Sequence, residues 1–177
     1  MRKGEFDNEM TPKPRERKTK TAQQALQSLM RLCARSEKST GDALRLMRTW
    51  GVPEAEQRGV LDKLLAHRYI DNRRYAEAYT REKSQLAGWG ERKISMQLRL
   101  KGVEREIISE VLAALVADDS RVERLREKLE KKLRTTKAAS DYELRGKLLR
   151  YALGLGYDYD ISAEVVNVVV DEVAKRK

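Results

Sequence analysis

The sequence predicts an all-α chain of three tandem three-helix repeats, arranged as an elongated, curved array. Three observations carry that reading. Apolar residues recur at helical spacing along most of the chain. Ser, Thr and Asp caps open the apolar stripes, and glycines close them. Gly51, Gly102 and Gly156 end three corresponding helices, 51 and 54 residues apart, and the same order of caps and stops at a period near fifty marks a repeat array. Each glycine precedes an apolar residue, Val52, Val103 or Tyr157, suited to fold back on the helix it ends. Composition agrees: 40% hydrophobic, 37% charged and only 6% aromatic residues favour amphipathic helices with wide solvated faces over a deep β core.

Residues 1–20 hold two prolines and almost no apolar side chains, and read as a disordered basic tail. The first repeat spans 21–70. Thr21 and Gln24 match a capping box for a helix with a stripe of Ala22, Ala25, Leu26, Leu29, Leu32 and Cys33. Ser39 caps a second helix running through Leu44, Met47 and Trp50 to Gly51. Pro53 suits the first turn of a third, which should bury Val60, Leu61, Leu64 and Leu65. The second repeat, 71–117, opens at the cap Asp71 with a helix carrying Tyr75, Ala76, Tyr79 and Leu86, broken at Gly88-Trp89-Gly90. A helix with Ile94, Leu98 and Lys101 ends at Gly102, and the third holds Ile107, Ile108, Val111, Leu112 and Leu115. In the third repeat, 118–177, Ser120 caps a helix with Val122, Leu125, Leu129 and Leu133, and Ser140 caps one with Leu144, Leu148 and Tyr151. The last helix must be built on Val165, Val166, Val169, Val170 and Val173, against the β preference of valine.

A unit of this size is marginal alone, so neighbours must stabilise one another. Compact units about 25 Å across give an array of about 75 Å, longer than the ~34 Å turn of duplex DNA. That shape suits an extended partner better than a small ligand.

Enzymatic chemistry finds no footing. No phosphate loop or dinucleotide fingerprint occurs. One cysteine and one histidine exclude the usual metal-site spacings, and no cofactor is implied. Cys33 lies on an apolar stripe and reads as a buried structural thiol. His67 sits at a helix end, where the dipole accounts for it. The carboxylates of 121–134 pair with bases at i,i+4, as in Glu127/Lys131 and Glu130/Arg134. The longest uncharged stretch near the C-terminus, 165–170, is too short to span a bilayer, and the lone cysteine suits a reducing cytoplasm. Net charge is +10, shared among all segments, which favours a polyanionic partner or an acidic protein surface.

Two stretches exceed generic helix: Y-I-D-N-R-R-Y-A-E-A-Y, Tyr69 to Tyr79, and G-W-G-E-R-K-I-S-M-Q-L-R-L-K-G-V, Gly88 to Val103. They resemble the middle repeat of the RecX family of bacterial recombination regulators: an aromatic, Asp, a basic residue, an aromatic and Ala, then a glycine–aromatic–glycine turn, a basic-Ile pair, a Leu and a closing Lys-Gly. Asn72 stands where a second acid is common, and Trp89 where Tyr is common. The resemblance covers about 21–177 and leaves out the tail. It implies negative regulation of RecA by binding in the groove of the RecA–single-stranded DNA filament, hindering filament growth, ATP hydrolysis and strand exchange and damping the DNA-damage (SOS) response. It implies no chemistry of the protein's own, weak non-specific contact with single-stranded DNA, and by default a monomer. The expected contacts are cations off the apolar stripes of the middle repeat: Arg73, Arg74, Arg81 and Lys83 on its first helix, and Arg92, Lys93, Arg99 and Lys101 on its second. Arg92 and Lys93 are expected to be exposed. Trp50 reads as core. Trp89 either packs over the helix junction or is offered to a base, and packing is the preferred reading.

A stand-alone DNA-binding protein with helix-turn-helix-like repeats is the alternative, since a Gly-containing turn joins the second and third helices. The third helices speak against it: Glu104, Glu106 and Glu110, then Glu164, Asp171 and Glu172, are poor readers of base edges. A helical scaffold for some other acidic protein is the third reading.

Overall fold

The structure is a computed structural model, and it describes residues 19–118 and 120–174. The expected basic tail lies, save its last two residues, outside the described residues. The described chain is all-α: α1 (Ala22–Cys33), α2 (Thr40–Thr49), α3 (Glu54–Ala66), α4 (Asn72–Glu82), a π-helical turn (Lys83–Ala87), α5 (Glu91–Leu100), α6 (Arg105–Val116), α7 (Ser120–Thr135), α8 (Asp141–Leu155) and α9 (Tyr159–Ala174).

The helices pack in threes, each around its own core. Leu29, Met47 and Leu64 centre the first, Ala76, Ile94 and Leu98 the second, and Leu125, Leu129 and Leu148 the third. The valines of α9 stay helical because Val165, Val166, Val169 and Val170 are all buried, and that burial outweighs a small propensity cost. Tyr75 and Tyr79 stack at 5.7 Å between ring centroids in the middle unit.

Local chemistry sets the boundaries. The Thr21 capping box forms with both of its hydrogen bonds. Ser39, Asp71 and Ser140 accept from the backbone N–H groups of Asp42, Arg74 and Glu143. Asp71 is held below the ordinary carboxylate range, first by that backbone hydrogen bond from Arg74 and then by Arg68. Two caps differ from expectation. Pro53 is the N-cap of α3, not its first helical residue. Ser120 is already helical, and the Asp118 carboxylate accepts from its N–H and its hydroxyl.

The three stopping glycines share one motif. Gly51, Gly102 and Gly156 have φ of 67°, 72° and 93°, a region that favours residues without Cβ. In each case the next residue's N–H returns to the helix: Val52 to the Met47 carbonyl, Val103 to Leu98 and Tyr157 to Ala152. Their side chains are buried beneath it, as a Schellman ending requires.

Three apolar expectations fail, one of them Val122, 41% exposed in the first turn of α7. Leu86 is 77% exposed, because the π turn widens the helix before Gly88 and swings it off the buried stripe. Leu65 is 39% exposed, one position off the line of Val60 and Leu64. Cys33 is only half-buried, although burial still pushes its thiol up and favours the inert protonated form.

Candidate binding surface

The second helices of the three units meet end to end. At the first joint the C-terminus of α5 abuts the N-terminus of α2. The Lys101 carbonyl accepts from the Gly41 N–H at 3.0 Å, and the Gly102 carbonyl from Thr40 Oγ1 at 2.9 Å. At the second joint α8 abuts α5: the Leu155 carbonyl accepts from Gly90 N–H at 2.9 Å, and Gly156 from Arg92 N–H at 3.0 Å. Orphan donors of one helix thus satisfy orphan acceptors of the next, and their dipoles align head to tail. The approach demands glycine. A Cβ on Gly41 would lie 2.5 Å from the Lys101 oxygen, and one on Gly90 2.5 Å from the Gly156 oxygen. At the outer end, the Trp50 carbonyl of α2 accepts from the Lys20 N–H at 2.9 Å, and the Lys20 ammonium lies 3.6 Å from the Trp50 ring.

These joints claim several of the cations expected to bind a partner. Lys101 reaches buried Asp42 at 2.9 Å. Burial opposes the Asp42 charge, yet Lys101 and Arg45 hold the carboxyl below its ordinary value. Arg74 pairs with Glu37 of the first unit at 2.6 Å. Arg92 pairs with Asp158 at 2.7 Å across the second joint. Lys93 was expected to be exposed but is half-buried: its ammonium lies 4.4 Å from the Trp89 ring and donates to the Gly154 carbonyl at 3.3 Å. The end of α8 arrives over Lys93, which is why sequence spacing alone misplaces it. Trp89 packs against the middle core, as preferred. Lys83 pairs with Glu82 at 2.7 Å and lies 5.3 Å from the Tyr79 ring.

The remaining three sit on the outer faces of the middle unit. Arg73 pairs with Glu110 on α6. Arg81 shares the α4–α6 face with it and has no carboxylate partner among the described residues, and the same holds for Arg99 on the α5–α6 face. The eight cations therefore do not form one patch. Arg73 and Arg81 flank α6 on one side, and Arg92 and Arg99 on the other. Sequence reasoning missed Arg105, which joins Arg99 at the closed end of the α5–α6 groove. Three of the six acids named on the third helices are spent on internal pairs: Glu110 with Arg73, Glu172 with Arg126 at 3.0 Å, and Asp171 with Arg145 at 2.5 Å. Among the described residues no group of His, Cys, Asp and Glu is placed to hold a metal, and no helix is long and apolar enough to cross a membrane.

Unit cores, Schellman endings and end-to-end joints define a tandem three-helix-repeat protein. Residues 71–112 match the second three-helix domain of RecX, and residues 118–166 match the third. This chain belongs to the RecX family of regulatory proteins. It is 29% identical over 174 residues to regulatory protein RecX of Mycolicibacterium smegmatis, covering 97% of this chain and 90% of that protein. It is 30% identical over 139 residues to RecX of Clostridium botulinum, covering 77% and 63%. The fold matches a crystal structure of RecX from Lactobacillus salivarius with a TM-score of 0.66 at 20% identity, over 84% of this chain and 96% of that one. A second RecX crystal structure matches with a TM-score of 0.75 at 18% identity, over 82% and 73%.

Proposed function

We propose that this protein is a negative regulator of RecA that binds in the groove of the RecA–single-stranded DNA filament and hinders filament growth, ATP hydrolysis and strand exchange. The observation that carries the reading is the match of two successive domains, 71–112 and 118–166, to the RecX family. The repeats at 21–70, 71–117 and 118–177 act as three linked docking units, and binding, not catalysis, is their work. The partner is the filament in the cytoplasm. Single-stranded DNA is contacted weakly and without sequence preference, and the protein acts as a monomer. Arg81 and Arg99 are the first filament contacts, since no internal carboxylate competes for them among the described residues. Arg73, Arg74, Lys83, Arg92, Lys93 and Lys101 contribute field more than contact, because internal partners already hold them.

The test is the rate of ATP hydrolysis by RecA on single-stranded DNA, with and without this protein, at two DNA concentrations. Inhibition that persists when DNA is doubled supports binding to the filament. Inhibition relieved by added DNA means titration of the strand and returns the stand-alone DNA-binding reading.

A further inference from the structure

The middle unit carries a groove of about 820 Å³ between α5 and α6. Its floor is apolar: Met96 from α5, and Ile108, Leu112, Ala113 and Val116 from α6. Met96 and Val116 are 52% and 45% exposed although both are large and apolar. Arg92, Arg99 and Arg105 rim it, and its one acid, Glu91, is paired with Arg121 at 3.6 Å. A shallower continuation from Met96 crosses the second joint to Leu153, itself 37% exposed.

The stopping glycines allow the same place to be read in the other units. Met96 lies six residues before Gly102, whereas six before Gly51 is Arg45 and six before Gly156 is Arg150. Ala113 lies eleven after Gly102, whereas eleven after Gly51 is Asp62 and eleven after Gly156 is Asn167. Three of these polar residues are satisfied at home: Arg45 pairs with Asp42 at 3.3 Å, Asp62 with Arg58 at 3.1 Å, and Asn167 accepts from Arg145 at 2.7 Å. At these two positions the apolar floor is particular to the middle unit, whereas the Val116 position is apolar in all three, with Leu65 and Val170 fourteen residues after Gly51 and Gly156. An exposed apolar floor beside Arg99 and Arg105, which have no carboxylate partner among the described residues, fits an amphipathic partner helix with apolar anchors and acidic flanks. Nucleic acid fits poorly, since its phosphates would meet the cations while nothing covers Met96 and Val116.

We infer that the α5–α6 groove docks an acidic amphipathic segment of a protein partner, with apolar side chains over Met96 and carboxylates against Arg99 and Arg105. This rests on the regulator reading in one respect only, that the filament's protein supplies the segment.

The probe is a synthetic helical peptide of about four turns with Leu on one face and Glu on the other, and a control with Lys in place of every Glu. The full chain carries methyl-labelled methionine. The Glu peptide is expected to shift the Met96 methyl and leave buried Met47 in place, with the Lys peptide at least about tenfold weaker. Met96→Arg installs the residue the sibling units carry, so it should fold and lose the peptide by about tenfold or more. A Met96 methyl that ignores the Glu peptide, or that responds equally to the Lys peptide or to oligo-dT, overturns the inference. Inhibition of RecA by the wild type that survives unchanged in Met96→Arg overturns the groove as a filament contact while the regulator reading stands. A wild type that never inhibits RecA overturns the regulator reading, and the peptide titration still decides the groove.

Discussion

At the first joint, side chains make most of the polar contacts. The buried Asn72 amide lies within 3.2 Å of Thr40 Oγ1, the Gly102 carbonyl and the Glu104 carboxylate, and its own oxygen accepts from Thr40 N–H at 3.1 Å. Asp42, with Lys101 and Arg45, closes the other side. At the second joint the backbone does the same work through Gly90 and Arg92 N–H, joined by the exposed Arg92 on half-buried Asp158 and by Lys93 donating to the Gly154 carbonyl. One geometric demand, an α-helix end placed on an α-helix start, is met by two kinds of chemistry. The first kind is specific and fragile to substitution of polar groups. The second tolerates side-chain change but not added bulk.

The largest effect should come from bulk at the backbone joint. Gly156→Ala adds a Cβ 2.4 Å from Lys93 Cβ and 2.6 Å from Lys93 N at a φ of 93°, so strain and overpacking act together. We expect a loss of about 3 kcal/mol or more in urea unfolding, and a loss under 1 kcal/mol would show that the joint opens easily. Asn72→Leu should cost about 2 kcal/mol by removing the buried amide that links Thr40 to Gly102 and Glu104 at the first joint. The corresponding probe of the second joint, Arg92→Ala, removes the exposed partner of Asp158 and should cost no more than about 1 kcal/mol. Equal losses for these two would erase the distinction between the joints.

Acid should loosen the first joint. The Asp42 carboxyl is held below its ordinary 3.8, so its contribution is complete above that value and fades as pH falls through the lower folded value. Asp118, held down to about 2 by Ser120 and Arg124, follows the same sign in the linker to the third unit. Melting temperature should therefore fall between about pH 4 and pH 2, and Asp42→Asn should flatten the upper part of that fall. The smallest expected effect is Arg99→Glu. It should leave the melting temperature within about 1 °C, since the side chain is exposed, yet weaken inhibition of RecA several-fold. Unchanged inhibition would remove Arg99 from the contact surface. Reversing Arg92 and Lys93 together is a poor probe, because Glu at 92 would face Asp158 and Glu at 93 would lose the Trp89 ring.

Caps and stops were legible in sequence because they are local: Thr21, Ser39, Asp71 and Ser140 each act within their own first turn. The three Schellman endings were legible for the same reason. The joints were not, because Gly41 reads as an ordinary helix-weakening glycine until the Lys101 carbonyl is seen above it. Nor was the placement of Lys93 and Lys101, whose spacing puts them on a solvated face and whose neighbours come from another unit. The Met96 groove was within reach: aligning the units on their glycines sets an apolar residue against two arginines.

The capping of Trp50 by Lys20 closes one end of the array. At that end the Trp50 carbonyl is occupied by the backbone of Lys20, so a further helix set there would have to break an existing contact. At the other end Ser140, Asp141 and Tyr142 open α8 into solvent, with Tyr142 89% exposed. No glycine stands there to admit another helix end as Gly41 and Gly90 do, and the first turn carries Asp141 and Glu143. The array is therefore stopped at both ends, by an occupied carbonyl at one and by side-chain bulk and negative charge at the other.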